Sequence, residues 1–462
     1  MWDGNISLYN IKTKLFPIGL YPRLKSYCDE NSIDLVFKKD DRFDTISDID
    51  EDLSIEEIKS FVNDLNLWSK NGPITAREYQ LDAVFKAIKN KRLTLVSPTS
   101  SGKSLLIYCI IRWILDEIPD SRVLLLVPNV TLVNQMFGDF REYSSQNGWD
   151  VDKNCQKLYS GLSKELSKRV LITTWQSFTK IANDKVNGPK ILSLYKGVIA
   201  DECHTSKGKE MQSILEKCHY ASYRIGTTGT IDTSADAKVH TLQIEGFLGS
   251  IYKVITTKEL IDTNQVSNLK IKSLVLKYTE DECKLIKTAE YQEEINWLIE
   301  NPERNKFLIR VALAAEGTTL LLVRNRDTHA KVLYEKISEI SKRPVYYVSG
   351  NVSADEREKI RQTANKEDCI IVATFQTMST GVNIPNIRNV IFGSPSKSSI
   401  TVLQSIGRGL RLHSDKTHMT LYDIIDDLRY KKSENYSYVH GVERLSIYRK
   451  EKFDISIKEI TL

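Results

Sequence analysis

From Asn71 onward the chain repeats one unit: a short apolar run ending in turn chemistry, followed in most cases by a longer segment with 3.6-residue periodicity. The first series reads "LTLVSP", "VLLLVP", "VLITTW", "GVIADE" and "YRIGTTGT". Runs without polar alternation belong to strands covered on both faces, which predicts a parallel sheet wrapped by helices over 71–254. A second series, "TTLLLVRN", "VYYVSG", "CIIVATF", "VIFGSP" and "MTLYDII", predicts a second α/β domain over 255–462. Two such domains in tandem predict a cleft between them.

A length of 462 residues is too great for one ordinary core, and 41% hydrophobic with 27% charged residues is the balance of a folded chain. The longest apolar run, "LLIYCIIRWIL", is broken by Arg112 and falls short of the roughly 20 residues of a membrane span. "MWDGNISLYN" has neither the basic nor the apolar part of a signal peptide, so an intracellular, cytoplasmic protein is expected. Seven cysteines without a C-x-x-C pair argue against a disulfide framework and a structural zinc site, and predict reduced thiols.

Net charge is +5, but residues 1–70 hold 9 basic against 14 acidic side chains, leaving 56 against 46 for the remainder. A modestly basic body is compatible with a polyanionic partner. Residues 40–57 contain nine acids and one base; they read as a solvated linker between a small leading module, 1–70, and the body, opening into an amphipathic helix near Ser54.

"SPTSSGKS" (97–104) stands between an apolar strand and an apolar helix. The pattern G-x-x-x-x-G-K-[ST] would place glycine at Ser97, and such loops often carry glycine at Ser100 too. What remains is a phosphate cradle: Pro98, Thr99, Ser100, Ser101 and Gly102 lead into a helix N-terminus whose free N–H groups and dipole favour an anion. Lys103 adds a point charge for the terminal phosphates, and Ser104 a hydroxyl for Mg2+. About a hundred residues on, "VIADECH" is an apolar strand ending in two carboxylates. Asp201 is suited to the Mg2+ shell, and Glu202 to orienting or deprotonating the attacking water. Loop and carboxylates together predict an ATP-hydrolysing site.

"SPTSSGKS", "VPNVTLVNQ", "TTWQS", "DECH", "TGT", "ATFQTMSTGVNIP" and "QSIGRGLR" occur in the order of the motifs of superfamily 2 helicases. The chain resembles that family from about Arg77 to Arg411, and within it the bacteriophage recombination helicases. The resemblance implies two tandem RecA-like P-loop domains plus a small N-terminal α+β module that binds branched DNA. The likeness begins inside that module, leaving open a shorter module or a start upstream of Met1. It also implies that Gln80, with Arg77, reads adenine, and that Gln404, Arg408 and Arg411 reach the γ-phosphate from the second domain. Gly381 and Asn383 would touch the nucleotide, although the family often has Asp at position 383. His204, Thr228 and Thr230 would couple ATP state to domain movement, while Cys203 is packing.

The resemblance also implies single-stranded nucleic acid across both domains, with Pro128, Asn129, Gln135, Thr174, Gln176, Arg324, Thr374 and Gln376 as candidates and contacts mostly to phosphates. The tail after Leu428 interleaves tyrosines with Arg and Lys, which suits either a stacking surface or a helix packed on domain two. The activity the resemblance implies is that of a DNA helicase moving 3′ to 5′ on branched or stalled-fork intermediates, and a monomer is expected. The alternative is an RNA or RNA–DNA hybrid helicase, or a duplex translocase that does not unwind.

Overall fold

The computed structural model describes residues 8–9, 11–12, 16–36, 52–70, 72–159, 166–205, 209–231, 237–349, 352, 354–375, 384, 386–395, 399–410, 412 and 416–462, without the side chains of 326, 327, 354, 355, 357, 358, 399–401, 404 and 408. Contacts divide the chain into two compact units, Met1–Ile255 and Thr256–Leu462. Each is built on seven parallel strands with helices in the connections, the architecture of tandem RecA-like domains.

The first sheet comprises β1 (Arg92–Val96), β2 (Arg122–Val127), β3 (Cys155–Leu158), β4 (Val170–Thr174), β5 (Tyr195–Asp201), β6 (Tyr223–Thr228) and β7 (Ser250–Lys253). Their spatial order is β3, β4, β2, β5, β6, β1, β7. From Val123 to Val127 every residue of β2 is fully buried, as a strand covered on both faces requires. The helix Lys103–Glu117 supplies part of the cover with Leu106, Ile107, Ile110, Ile111 and Ile114. Each such side chain taken from water contributes about 1.5–3 kcal/mol.

Five of these strands are the five apolar runs of the sequence. β3 and β7 are additions: both are four-residue edge strands, and polar Gln156, Lys157, Ser250 and Lys253 interrupt their apolar pattern. Upstream, Ser54 caps the helix Ile55–Asp64 in a capping box with Glu57, where the acidic pattern predicted a helix to open. Ile58 and Val62 of that helix share one core with Leu81, Ala83 and Val84 of the helix Glu78–Asn90, so residues 53–67 pack as part of the first unit. The predicted acidic linker lies outside the described residues as far as Glu51.

The second sheet comprises β8 (Asn268–Lys277), β9 (Thr319–Val323), β10 (Val345–Val348), β11 (Ile370–Thr374), β12 (Asn389–Phe392), β13 (His418–Asp427) and β14 (Asp454–Thr461). The order is β10, β11, β9, β12, β13, β8, β14. Two buried ion pairs fasten β13 to its helices. Arg304 Nε and one terminal nitrogen lie 2.7 and 2.9 Å from the Asp426 carboxylate, and Arg444 Nε lies 2.8 Å from that of Asp423. The Tyr278 and Tyr448 hydroxyls donate to the same carboxylates at 2.7 and 3.1 Å. Removing one partner of such a pair costs about 3–5 kcal/mol, because it leaves the other charge buried and uncompensated.

All seven cysteines are buried and unbridged. Among the described residues no helix is long and apolar enough to cross a membrane. The motif loops leave the carboxyl ends of β1, β5 and β6, with β6 lying between the other two. Open parallel sheets bind their ligands at these ends.

Candidate functional site

The loop after β1 is held by its own serines. Ser97 N donates to Thr228 O at 2.8 Å, tying the start of the loop to β6. Ser101 Oγ donates to Pro98 O at 2.6 Å, which leaves Ser97 Oγ as donor in the 2.5 Å contact between the two hydroxyls. Ser97 and Ser101 are both fully buried, so the first departure from glycine, at Ser97, is a structural pin. Ser100 and Gly102 adopt φ of +73° and +89°, turning the chain into the helix Lys103–Glu117. Glycine enters that conformation without penalty, whereas serine at position 100 gives up about 1–2 kcal/mol.

Gln80 closes one side of the cradle. Its Oε1 accepts from Arg77 N at 2.9 Å and its Nε2 donates to Ser101 O at 2.9 Å. Tyr79, which the sequence did not single out, donates its hydroxyl to the same Ser101 carbonyl at 2.9 Å and receives Arg77 at 3.2 Å. Glycine suits position 102 for a second reason: an added Cβ would stand 2.4 Å from Gln80 Nε2, so the Gln80 amide would have to move from its two hydrogen bonds.

The carboxylates gather around Lys103. Its ammonium is 3.5 Å from Glu202 Oε1 and 3.3 Å from Ser97 O, and Gly229 admits it, since a Cβ there would lie 3.2 Å from Nζ. Asp201 accepts from Thr227 Oγ1 at 2.7 Å; burial, then the adjacent Glu202 charge, push its carboxyl up. Burial also pushes Glu202 up, but the Lys103 ammonium and His204 outweigh it and hold this carboxyl well below the usual range. Of the two, Glu202 keeps its charge to the lower pH, and its left-handed conformation (φ +49°) turns it off the strand.

His204 Nδ1 lies 2.7 Å from Thr228 Oγ1 and 3.3 Å from Glu202 Oε2. Thr228 Oγ1 donates in turn to Thr230 O at 2.9 Å, and Gly229 N reaches Glu202 Oε2 at 3.4 Å. The three residues expected to couple nucleotide state to movement therefore form one chain ending on Glu202. Cys203 is packing: it is fully buried, and burial pushes its thiol up.

One hydroxyl and one buried carboxylate, Ser104 and Asp201, are the kind of donor set that Mg2+ uses, with phosphate and water supplying its other oxygens. Ser104 Oγ lies 2.8 Å from the Tyr143 hydroxyl, a partner the sequence did not reveal. Burial holds that phenol protonated, well above its usual range.

Of the nucleic-acid candidates, Pro128 and Asn129 follow β2, while Thr174 ends β4. Asn129 and Thr174 use their side chains as helix caps, accepting from Leu132 N at 3.0 Å and Ser177 N at 3.2 Å. Gln135, Gln176 and Arg324 are exposed, and Thr374 is buried at the end of β11. Gln404 and Arg408 lie one turn apart on the helix Ser399–Gly409, with their side chains outside the described residues. Gln376, Gly381, Asn383 and Arg411 also lie outside them.

A family model described as the res subunit of type III restriction enzymes matches residues 73–233, and one described as the helicase conserved C-terminal domain matches 303–413. The chain is 32% identical over 479 aligned residues to the ATP-dependent DNA helicase uvsW of Enterobacteria phage T4, covering 100% of this chain and 91% of that protein. It is 25% identical over 456 residues to putative helicase 22 of Sulfolobus islandicus filamentous virus, covering 93% and 78%. Among solved structures, a fragment of a putative HsdR subunit of a type I restriction enzyme from Vibrio vulnificus YJ016 shares the fold. That match has a TM-score of 0.62 at 17% identity and covers 96% of this chain and 83% of that one.

Proposed function

Because this chain belongs to the superfamily 2 helicases and is related along its whole length to uvsW of phage T4, we propose that it uses ATP hydrolysis to move 3′ to 5′ along DNA and remodel branched recombination or stalled-fork intermediates. That it is an ATP-dependent DNA helicase follows from the family. The observation carrying the reading of its site is the convergence of Lys103, Asp201 and Glu202 at the carboxyl ends of β1 and β5, braced by Thr227 and Thr228 of β6.

In this reading Lys103 and the N–H groups of its helix's first turn hold the β- and γ-phosphates of ATP. Ser104 and Asp201 would hold Mg2+, which neutralises charge on the phosphate oxygens. Glu202 orients the attacking water or takes its proton as that water's oxygen bonds to the γ-phosphorus, while the bond from phosphorus to the bridging oxygen breaks and that oxygen leaves with ADP. Gln80 and Arg77 face the adenine; Gln404, Arg408 and Arg411 act on the γ-phosphate; Gly381 and Asn383 line the nucleotide. Residues 1–70 serve as an accessory DNA module, 71–254 as the ATP-binding domain and 255–462 as its partner. The working form is a monomer in the cytoplasm, for a viral chain that of the host.

The deciding experiment measures ATPase and strand separation side by side on single strands, forks, four-way junctions and RNA–DNA hybrids. Forks and junctions are expected to be the best substrates. ATPase stimulated by RNA alone would overturn the assignment to branched DNA.

A further inference from the structure

In the second domain, two chain segments, 284–291 and 428–440, run side by side and build a band of aromatic rings and cations that the nucleotide site does not use. Ser433 Oγ donates to Lys287 O at 3.0 Å. The buried Glu294 carboxylate accepts from Tyr436 N, Ser437 N and Asn435 Nδ2 at 2.8, 2.7 and 3.0 Å. These bonds hold Tyr436, in the first turn of the helix Tyr436–Lys450, beside Tyr291, in the first turn of the helix Tyr291–Glu300. The two rings meet edge to face with centroids 5.5 Å apart. Arg324, leaving the carboxyl end of β9, sets its guanidinium 5.4 Å from the Tyr291 ring.

Further along, the Tyr430 ring has three ammonium groups around it, those of Lys284, Lys287 and Lys431, at 5.9, 5.8 and 5.4 Å from its centroid. Lys284 pairs with Glu280 at 3.1 Å; Lys287 and Lys431 have no carboxylate partner among the described residues. Packing alone does not account for the band, since Tyr436 is 42% exposed and Arg324, Lys287 and Lys431 all face water. Like charges gathered at one ring call for a polyanion, and an exposed ring pinned at its backbone calls for a flat partner. Duplex DNA offers the charge but buries its base faces.

We propose that this band, Tyr291, Tyr436 and Arg324 together with Tyr430, Lys287 and Lys431, binds single-stranded DNA, with an unpaired base stacked on Tyr436 and neighbouring phosphates on the lysines. The proposal rests on the DNA-helicase reading and adds to it a contact surface outside the helicase motifs except for Arg324.

The test is fluorescence anisotropy of the full chain with labelled oligo(dT) of about 20 nucleotides, long enough to cover this band. Tyr436→Ala is expected to weaken binding roughly fivefold to a hundredfold, the worth of one base stack, with Tyr436→Phe retaining wild-type affinity. Lys287→Ala/Lys431→Ala is expected to lower the slope of log K against log salt by about 1.4, at roughly 0.7 per phosphate contact. Heparin, a polyanion without bases, separates the two effects: it should feel the lysine changes and not Tyr436→Ala. Variants that unfold like wild type yet bind oligo(dT) unchanged would overturn the proposal, and so would an equal loss of heparin and oligo(dT) in Tyr436→Ala. Failure of the wild-type chain to bind any nucleic acid would overturn the helicase reading itself, and this surface with it.

Discussion

Lys103 and Glu202 face each other across the end of the first sheet as an ion pair, Nζ to Oε1 3.5 Å. The cation proposed to meet the phosphates is thus partnered by the carboxylate proposed to act on the attacking water, and a γ-phosphate would compete for it. Lys103→Ala removes a cation that lowers the Glu202 carboxyl and the charge proposed to meet the phosphates; nucleic-acid-stimulated ATPase is expected to be lost. Glu202→Gln keeps the size and removes the base, so nucleotide binding should persist while turnover falls by about 10²–10⁴. Fluorescent-nucleotide binding measured beside phosphate release separates the two, and unchanged turnover in Lys103→Ala would remove the assigned site.

Gly102→Ala tests whether loop and adenine element are one object. The new methyl meets Gln80 Nε2, an atom pinned through Ser101 O and, by way of Oε1, Arg77 N, at a backbone φ of +89° that disfavours alanine. Stability is expected to fall by about 1–3 kcal/mol and the KM for ATP to rise. Adding Gln80→Ala should return part of the stability without restoring nucleotide affinity, as thermal unfolding and ATPase titrations would reveal.

Phosphate chemistry needs contiguous residues, so the strand, loop and helix around "SPTSSGKS" and the strand ending in "DECH" were both legible in the sequence. What joins them was not. Thr227 reaches Asp201 across 26 positions and Tyr143 reaches Ser104 across 39, and neither contact leaves a local pattern. Asn129 and Thr174 read as nucleic-acid contacts from motif order, yet Asn or Thr directly before a helix also signals an N-cap, the role their side chains fill here. β8 alternates exposed lysines with buried Leu269 and Ile271 rather than running apolar, and β14, beside it at the edge, is mostly exposed. A search for continuous apolar runs passes over both.

Tyr143→Phe should change Mg2+ dependence without changing the fold. The Tyr143 hydroxyl occupies Ser104 Oγ at 2.8 Å, and that oxygen is the one assigned to the metal. Losing a hydrogen bond of about 0.5–1 kcal/mol frees it, so half-saturating Mg2+ in ATPase assays should fall by roughly twofold to fivefold. A rise instead would mean that Tyr143 orients the serine toward the metal.

Acid should loosen the support of the basic tail through Asp427. Burial pushes this carboxyl up, but Arg429, with Nε and a terminal nitrogen each at 2.9 Å, and Lys277, at 2.5 Å, bring it to about 2. The folded value lies below the unfolded one of about 3.9, so the stabilisation is fully present above that pH and is lost as pH falls through about 2. Solvent screening of the partly exposed Arg429 and Lys277 limits it to about 1–2 kcal/mol. The same Arg429 guanidinium lies 3.7 Å from the Tyr438 ring, which couples the carboxylate to the helix that carries Tyr436. Asp427→Asn is therefore expected to be less stable than wild type at neutral pH, with the gap narrowing once the pH drops below about 4. Urea unfolding at a series of pH values measures that gap; a gap independent of pH would assign Asp427 to packing rather than charge.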